Sequence, residues 1–190
     1  MAKNNFDQDI ENCLQVLQRG GVILYPTDTV WGLGCDATNA EAVEKIFILK
    51  KRPSNKSLVV LVADERTILQ HTASVDLEVF NFLDNTNHPT TVIYEHALGI
   101  AENAIADDGS VAIRLCKDDF CKHLIKRFRK PLVSTSANFS GNPAPCIYKE
   151  ISMELIQTVD YTVQHRREDE TKLAPSRIIK WYDGEVVYIR

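Results

Sequence analysis

The chain has 190 residues, of which 44% are hydrophobic and 25% are charged, and its formal net charge is −4. This composition excludes a disordered chain, and the negative charge excludes a protein that coats nucleic acid or an anionic membrane over its whole surface. Because the length suffices for one well-buried domain but not for two of ordinary size, we predict one domain over residues 1–190.

Hydrophobic periodicity and turn residues predict the elements of the first half. In chain order they are a helix with Ile10, Cys13, Leu14 and Leu17 on one face, a strand at 22–25, a helix after Thr38, a strand at 58–62, and helices around 64–70 and 75–84. Thr38 and Glu41 match a capping box at the start of the second helix, and Pro53 ends that helix.

The second half is richer in strands. The predicted elements are strands at 90–94, 110–115 and 131–138, helices near 118–128 and 149–157, and closing strands at 161–165, 176–181 and 185–190. The sequence YDG between the last two strands indicates a hairpin. This order predicts an α/β fold with a twisted, mixed parallel and antiparallel sheet flanked by helices, and a ligand cleft at strand ends.

The segment LYPTDTVWGLGCDA, residues 24–37, is too unusual for a plain surface turn. Its glycines fit the spacing GxGxxA of dinucleotide-binding turns, which would make the protein an NAD-dependent oxidoreductase. However, PTDT at 26–29 separates the glycines from the preceding strand, whereas that motif needs them directly after it. A tight chain path is therefore the better explanation of Gly32 and Gly34, and the chain has no GxxxxGK[ST] phosphate-binding loop.

Two clusters of cations allow two interpretations each. Lys50, Lys51, Arg52 and Lys56 follow the second helix, where cations offset the helix dipole and are usually solvated, so that losing one changes stability by less than about 1 kcal/mol. Alternatively, a Lys-x-Arg pair there can bind a polyphosphate. The second cluster is typical of a solvated helix face or of weak RNA binding, and comprises Lys122, Lys126, Arg127, Arg129 and Lys130.

Polar residues in two predicted strands are candidates for a binding site. Arg114 alternates with Val111, Ile113 and Leu115, so it faces either solvent or a cleft, and in a cleft it needs an anionic partner. The stretch STSAN, residues 134–138, ends an apolar strand, where α/β sheets place ligands, although a local turn explains it as well. No histidine and acid accompany these serines, which disfavours a Ser/His/Asp hydrolase.

The cysteines and the chain start suggest the compartment. None of the five cysteines (Cys13, Cys35, Cys116, Cys121, Cys146) belongs to a CxxC pair, and the chain shows neither a secretory signal nor a membrane-spanning apolar run. We therefore expect a cytoplasmic protein with reduced, mostly buried thiols, no metal site and no membrane partner.

The blocks PTDTVWGLGCDA, LKKRP, SVAIR and STSAN, taken together, resemble the YrdC/TsaC family of L-threonylcarbamoyladenylate synthases over about Leu14 to Arg190, in its short form. The resemblance implies a nucleotidyltransferase that converts ATP (with Mg²⁺), L-threonine and bicarbonate or CO₂ into threonylcarbamoyl-AMP and pyrophosphate. It further implies that this product serves threonylcarbamoyladenosine formation in tRNA, through downstream tRNA-modifying proteins.

The resemblance also implies roles for individual residues. Lys50 and Arg52 would be catalytic through their contacts with phosphate, and Thr29, Arg114 and Ser134 would bind threonine. The remaining ATP contacts would come from Lys56, Ser110, Ser136, Asn138 and Ser176, and Mg²⁺ would be held by phosphates and water rather than by protein ligands. Three positions depart from the family pattern, Trp31, Cys116 and Arg177, and the last of these leaves the role of Ser176 open.

Two alternatives remain besides the oxidoreductase. An RNA-binding module with a basic cleft would bind RNA in a strongly salt-dependent manner and would not turn over ATP. A relative that transfers a carbamoyl group in metalloenzyme maturation would share the fold.

Overall fold

The computed structural model describes residues 6–51 and 58–189. The helices in these ranges are α1 (Asp7–Gln18), α2 (Ala40–Lys50), α3 (Glu65–His71), α4 (Glu78–Asn85), α5 (Asp119–Phe128) and α6 (Met153–Thr158), with 3₁₀ turns at Glu102–Ala104 and Tyr148–Glu150. The strands are β1 (Ile23–Tyr25), β2 (Gly32–Asp36), β3 (Val59–Val62), β4 (Thr90–Tyr94), β5 (Val111–Leu115), β6 (Leu132–Ser136), β7 (Tyr161–Thr162), β8 (Arg177–Tyr182) and β9 (Glu185–Tyr188).

All of these strands form one sheet in the order β7-β1-β2-β6-β3-β5-β4-β8-β9. The pairs β1–β7, β3–β5 and β4–β8 are parallel, and the other neighbours are antiparallel. Helices α1 and α5 pack on one face through residues such as Leu17 and Phe120, while α2 and α4 cover the other through residues such as Phe47 and Phe80. The predicted mixed sheet flanked by helices is confirmed.

Strand β2 is a correction, because the sequence analysis explained Gly32 and Gly34 by a tight chain path and predicted no strand there. All five residues of β2 are buried, and the strand pairs with β1 on one side and β6 on the other. A Cβ atom on Gly34 would lie 2.6 Å from Cε1 of Tyr25, so glycine is needed here for the close approach of an aromatic ring. Because both glycines lie within a strand, they do not form the strand-to-helix turn of a dinucleotide-binding motif.

The capping box predicted at Thr38 is also wrong. The N-cap of α2 is Asn39, whose side chain accepts hydrogen bonds from the backbone N–H groups of Glu41 and Ala42. The Thr38 hydroxyl instead donates to Oδ1 of Asp36, at 2.6 Å. The Thr38 hydroxyl therefore binds Asp36 at the buried end of β2, whereas a capping box would have used this hydroxyl to cap α2. Pro53, the predicted helix stop, lies outside the described residues.

Other differences concern element boundaries. The strand expected at 131–138 ends at Ser136, that at 161–165 is the two-residue β7, and the helix near 149–157 divides into a 3₁₀ turn and α6. The predicted closing hairpin is present, with Asp183 and Gly184 both at positive φ, as the two-residue turn between twisted strands requires.

The cysteines fit the expected pattern. None of the five forms a disulfide; four are buried, and Cys146 is partly exposed. Among the described residues, no helix has the length and apolar character needed to cross a membrane.

Candidate active site

A cavity of about 270 Å³ lies over four neighbouring strands, β2, β6, β3 and β5. The segment around Pro175 closes its side. Its polar lining combines one arginine with small hydroxyls, and these residues are Thr29, Arg114, Ser134, Thr135, Ser136 and Ser176. The structure therefore brings together five of the residues that the sequence proposed for ligand binding, from segments up to 147 positions apart (176 − 29).

Arg114 occupies the floor of this cavity. Strands β3 and β4 flank its strand, and the residue is 4% exposed. Its Nη2 lies 3.0 Å from Oδ1 of Asp28, within ion-pair distance, although that oxygen does not have the geometry of a directed hydrogen bond. Nε of Arg114 is buried without a hydrogen-bond partner among the described residues, so the protein leaves part of the guanidinium's hydrogen-bonding capacity unused.

Asp28 contacts Arg114 and was not among the candidate site residues that the sequence analysis selected. The expectation of an anionic partner for a cleft arginine was correct, but the protein itself supplies one. The available signal was an acid between two threonines, in a segment already recognised as unusual.

The turn that carries Asp28 is fixed by its own hydrogen bonds. The Thr27 hydroxyl donates to the carbonyl oxygen of Val30 at 2.8 Å and accepts from the backbone N–H of Thr29 at 3.0 Å. Nη1 of Arg166 donates to the carbonyl oxygen of Thr27 at 3.0 Å. These bonds hold the turn so that Thr29 lines the cavity while Asp28 lies against Arg114.

Gly32 leaves room for the hydroxyls of β6. A Cβ atom at this position would lie 3.2 Å from Oγ of Ser134 and 3.3 Å from the carbonyl oxygen of Thr135. A side chain would therefore extend into the cavity floor. Behind Ser134, burial raises the pKa of Tyr25 well above its ordinary value, so its phenol stays protonated at neutral pH.

Ser176 is held from the opposite side of the cavity. Its hydroxyl lies 2.8 Å from that of Thr91, a fully buried residue of β4, so one of the two donates to the other. Arg177, a departure from the family pattern, is exposed, and its neighbour Ser176 still lines the cavity.

Lys50 is buried, whereas a solvated helix end would leave it exposed. It is the last residue of α2 and is only 2% exposed. Its Nζ donates to the carbonyl oxygens of Ser136 and Asn138, the latter at 2.7 Å, and to Oδ1 of Asn138 at 3.3 Å. The end of α2 packs against the end of β6, so the ammonium satisfies the main chain of the turn that follows β6 rather than facing water.

Asn138 belongs to the same cluster. Its Oδ1 accepts from the Ser136 hydroxyl, and its Nδ2 donates to the carbonyl oxygen of Asn142 at 2.6 Å. Lys50, Ser136 and Asn138 therefore form one hydrogen-bonded group beside the cavity, which Ser136 also lines.

The remaining predicted ATP contacts are more remote or outside the described residues. Arg52 and Lys56 fall in the segment 52–57, which the structure does not describe. Ser110 precedes β5 and shares its face with Arg114, about 13 Å away at the usual rise per residue, and it is not part of the cavity lining. Lys51 is exposed and pairs with Glu154 at 3.3 Å.

Trp31 and the second basic cluster make contacts within the protein. Trp31 is buried, and its ring centre lies 5.1 Å from that of Tyr148, so it packs internally. In the basic cluster of α5 and its C-terminal turn, Arg127 pairs with Glu11, and Lys130 pairs with Asp36 at 2.6 Å. These pairs favour a structural role for the two cations over RNA contact.

Comparison with known proteins decides the family. The sequence model of the Sua5/YciO/YrdC family, described as "Telomere recombination", matches residues 15–190. The chain belongs to the Sua5/YciO/YrdC family. The resemblance inferred from the four sequence blocks is thus confirmed.

Its curated relatives include enzymes named threonylcarbamoyl-AMP synthase. That of Pseudoalteromonas translucida is 30% identical over 183 residues, which are 93% of this chain and 95% of the relative. That of Saccharophagus degradans is 37% identical over 135 residues, 70% of each chain.

Solved structures share the fold of this family member. The H234A/Y235A variant of P. abyssi Sua5 superposes with a TM-score of 0.86 at 21% identity, over 96% of this chain and 56% of that longer one. E. coli YciO superposes with a TM-score of 0.81 at 21% identity, over 99% of this chain and 91% of that one. A further P. abyssi Sua5 structure, complexed with L-threonine, has a TM-score of 0.81 at 20% identity over 99% of this chain and 55% of that one.

Proposed function

We propose that this protein is a threonylcarbamoyl-AMP synthase, a nucleotidyltransferase that joins L-threonine, bicarbonate or CO₂, and ATP and releases pyrophosphate. The observation that carries the proposal is the buried Arg114 on the floor of a cavity lined by hydroxyl groups. A relative that bears this enzyme name and aligns with 93% of the chain supports it.

The cavity has the chemistry to bind a small amino acid. The planar guanidinium of Arg114 can make two parallel hydrogen bonds to the threonine carboxylate. Thr29 and Ser134 lie on the same lining and offer hydroxyls that both donate and accept, as an amine and a side-chain hydroxyl require. P. abyssi Sua5, which shares this fold, has a structure in complex with L-threonine, and this supports the choice of threonine as the ligand.

ATP would bind alongside, towards the end of β6. In this assignment Lys50 positions the turn that presents Ser136 and Asn138 to the nucleotide, and its positive charge would favour phosphate binding beside that turn. Arg52 and Lys56 would contact phosphate oxygens.

Two further serines would complete the ATP site. Ser110, which immediately precedes β5, would contact the far end of the polyphosphate, and Ser176 closes the opposite wall. The described residues contain no group of three or more His, Cys, Asp or Glu suited to a metal ion, so the phosphates and water would coordinate the Mg²⁺ that accompanies ATP.

The reaction would depend mainly on positioning. Bicarbonate supplies CO₂ with loss of hydroxide, and the neutral threonine amine adds to CO₂ and gives up one proton, which combines with the hydroxide to form water. An oxygen of the resulting carbamate attacks the α-phosphorus, and the bond from that phosphorus to the oxygen bridging to the β-phosphate breaks, so that pyrophosphate leaves. The residues of the cavity would align the carbamate with the α-phosphate and neutralise developing charge, without a strong general base. The product would supply cytoplasmic tRNA-modifying proteins that form threonylcarbamoyladenosine.

Incubation of the purified protein with ATP, Mg²⁺, bicarbonate and threonine tests the proposal. We expect pyrophosphate release and a mass corresponding to threonylcarbamoyl-AMP, both of which disappear when either threonine or bicarbonate is omitted, and neither of which needs tRNA. Turnover with ATP alone, or an absolute requirement for tRNA, contradicts it. Salt-dependent RNA binding without ATP turnover would instead support the RNA-binding alternative.

A further inference from the structure

We infer that Asp28 is a positioning residue that aims the guanidinium of Arg114 at the carboxylate of the amino-acid substrate. The inference rests on the proposed function and deepens it, because it assigns a role to an acid that lies behind the binding arginine. Asp28 is the acid paired with Arg114 among the described residues, and both side chains are largely buried.

The arginine needs such a partner because its side chain is long and, among the described residues, its guanidinium has no other ion pair or hydrogen bond. Nε of Arg114 is buried without a hydrogen-bond partner among the described residues, so the guanidinium is not fixed at that atom. Two parallel hydrogen bonds to a carboxylate require the plane of the guanidinium to be correctly oriented before binding. The Nη2–Oδ1 contact of 3.0 Å with Asp28 restricts that orientation.

Asp28 is in turn held by a rigid support. Its turn is braced by the two Thr27 hydroxyl bonds and by Arg166, which bonds to the Thr27 carbonyl oxygen and also pairs with Asp118 at 3.1 Å. The position of the carboxylate is therefore set by the backbone and by an adjacent ion pair rather than by the cavity contents.

Asp28 does not line the substrate cavity. It lines a neighbouring cavity of about 430 Å³ together with Asp118 and Arg166, whereas Arg114 lines the substrate cavity. A residue placed this way reaches the substrate only through the arginine, so its role is positioning and not direct contact.

Removing the Asp28 charge has two opposed effects on threonine binding. Loss of a nearby negative charge would by itself strengthen attraction of the substrate carboxylate to Arg114. Loss of the anchor would free the guanidinium to leave the orientation needed for paired hydrogen bonds. We infer that orientation dominates, because paired hydrogen bonds are lost when the guanidinium plane turns, whereas a charge interaction changes only gradually with distance.

The test is calorimetric titration of three variants with threonine, in the presence of a non-hydrolysable ATP analogue and Mg²⁺. We expect Asp28→Asn to weaken threonine binding about tenfold and to leave affinity for the ATP analogue within about twofold. Asp28→Glu, which restores the charge, should recover part of the lost affinity. Asp36→Asn is the matched control, because this buried acid pairs with Lys130 at the end of β2 opposite Gly32 and does not line the cavity, and it should leave threonine affinity unchanged.

Several outcomes would overturn the inference. Unchanged or tighter threonine binding by Asp28→Asn would show that the acid does not orient Arg114. An equal loss of threonine and ATP-analogue binding would show a general structural role, as would a threonine affinity of Asp28→Glu no better than that of Asp28→Asn. If the unaltered protein binds no threonine, the proposed function fails together with this inference, whereas the other outcomes overturn the inference alone.

Discussion

Replacement of Lys50 by alanine should destabilise the fold, in contrast to the small effect expected for a solvated helix end. Its buried Nζ donates to two main-chain carbonyl oxygens and to the side-chain oxygen of Asn138. Each hydrogen bond from a charged donor contributes about 1.5–3 kcal/mol, and its loss leaves a buried acceptor unsatisfied. Since water can enter the space vacated by the side chain and satisfy part of this need, we expect a net loss of about 3 kcal/mol.

The expected loss can be measured directly. For a domain of this size, about 3 kcal/mol corresponds to a fall in melting temperature of roughly 6–12 °C. Urea unfolding, followed by circular dichroism, gives the free energy of unfolding, and a thermal scan gives the shift in Tm. Lys51→Ala is the matched control, because this neighbouring lysine is exposed and its pair with Glu154 at the surface is worth less than about 1 kcal/mol.

A melting temperature of Lys50→Ala equal to that of the unaltered protein would refute this reasoning. It would show that Nζ does not support the turn after β6 in solution. Lys50 would then be a solvated cation at the end of α2. If both lysine variants lose the same stability, the effect belongs to the charge at the end of α2 and not to the buried hydrogen bonds.

Other predictions follow from the same contacts. Gly34→Ala should destabilise the protein by about 1–3 kcal/mol in urea unfolding because its Cβ would meet the Tyr25 ring at 2.6 Å, whereas Gly32→Ala should mainly lower the rate of pyrophosphate release because its Cβ would enter the cavity. Arg114→Lys should weaken threonine binding in calorimetry nearly as much as Arg114→Ala, since lysine cannot make two parallel hydrogen bonds; collapse of ATP-analogue binding with normal threonine binding would contradict this. Burial lowers the pKa of His165, so the free energy of unfolding should fall as the pH drops below about 6.5, and His165→Phe should reduce that fall.

The sequence correctly predicted those strands that are defined by the hydrophobic pattern of consecutive residues. The uninterrupted apolar run at 58–62 predicted a covered strand, and β3 is indeed an interior strand with neighbours on both sides. Likewise, the alternation around Arg114 correctly predicted a strand with the arginine on one face. These predictions succeed because, within a regular helix or strand, the hydrophobicity of neighbouring residues indicates which residues are buried.

The missed features depend on contacts that no local pattern encodes. Strand β2 has two glycines, which weaken a strand prediction, yet the ring of Tyr25 fills the space beside Gly34 and the strands on both sides complete its hydrogen bonding. The burial of Lys50 depends on carbonyl groups 86 and 88 positions later in the chain. The pairing of Asp28 with Arg114 likewise spans 86 positions (114 − 28).

The same long-range contacts explain why residues from separate sequence blocks meet at one cavity. A lysine fits at position 50 because it supplies a buried donor to the carbonyl groups after β6, and a glycine fits at position 32 because Ser134 and Thr135 lie within 3.3 Å of where a Cβ would stand. Asp28 fits because an unpaired Arg114 would be a costly buried charge between substrate encounters. The blocks PTDTVWGLGCDA and STSAN therefore contain both residues that line the cavity and residues that contact those, and sequence alone cannot separate the two groups. Only the three-dimensional contacts place Asp28 against Arg114 and Lys50 against the turn after β6, so we expect substitution of Asp28 to change threonine affinity and substitution of Lys50 to change stability.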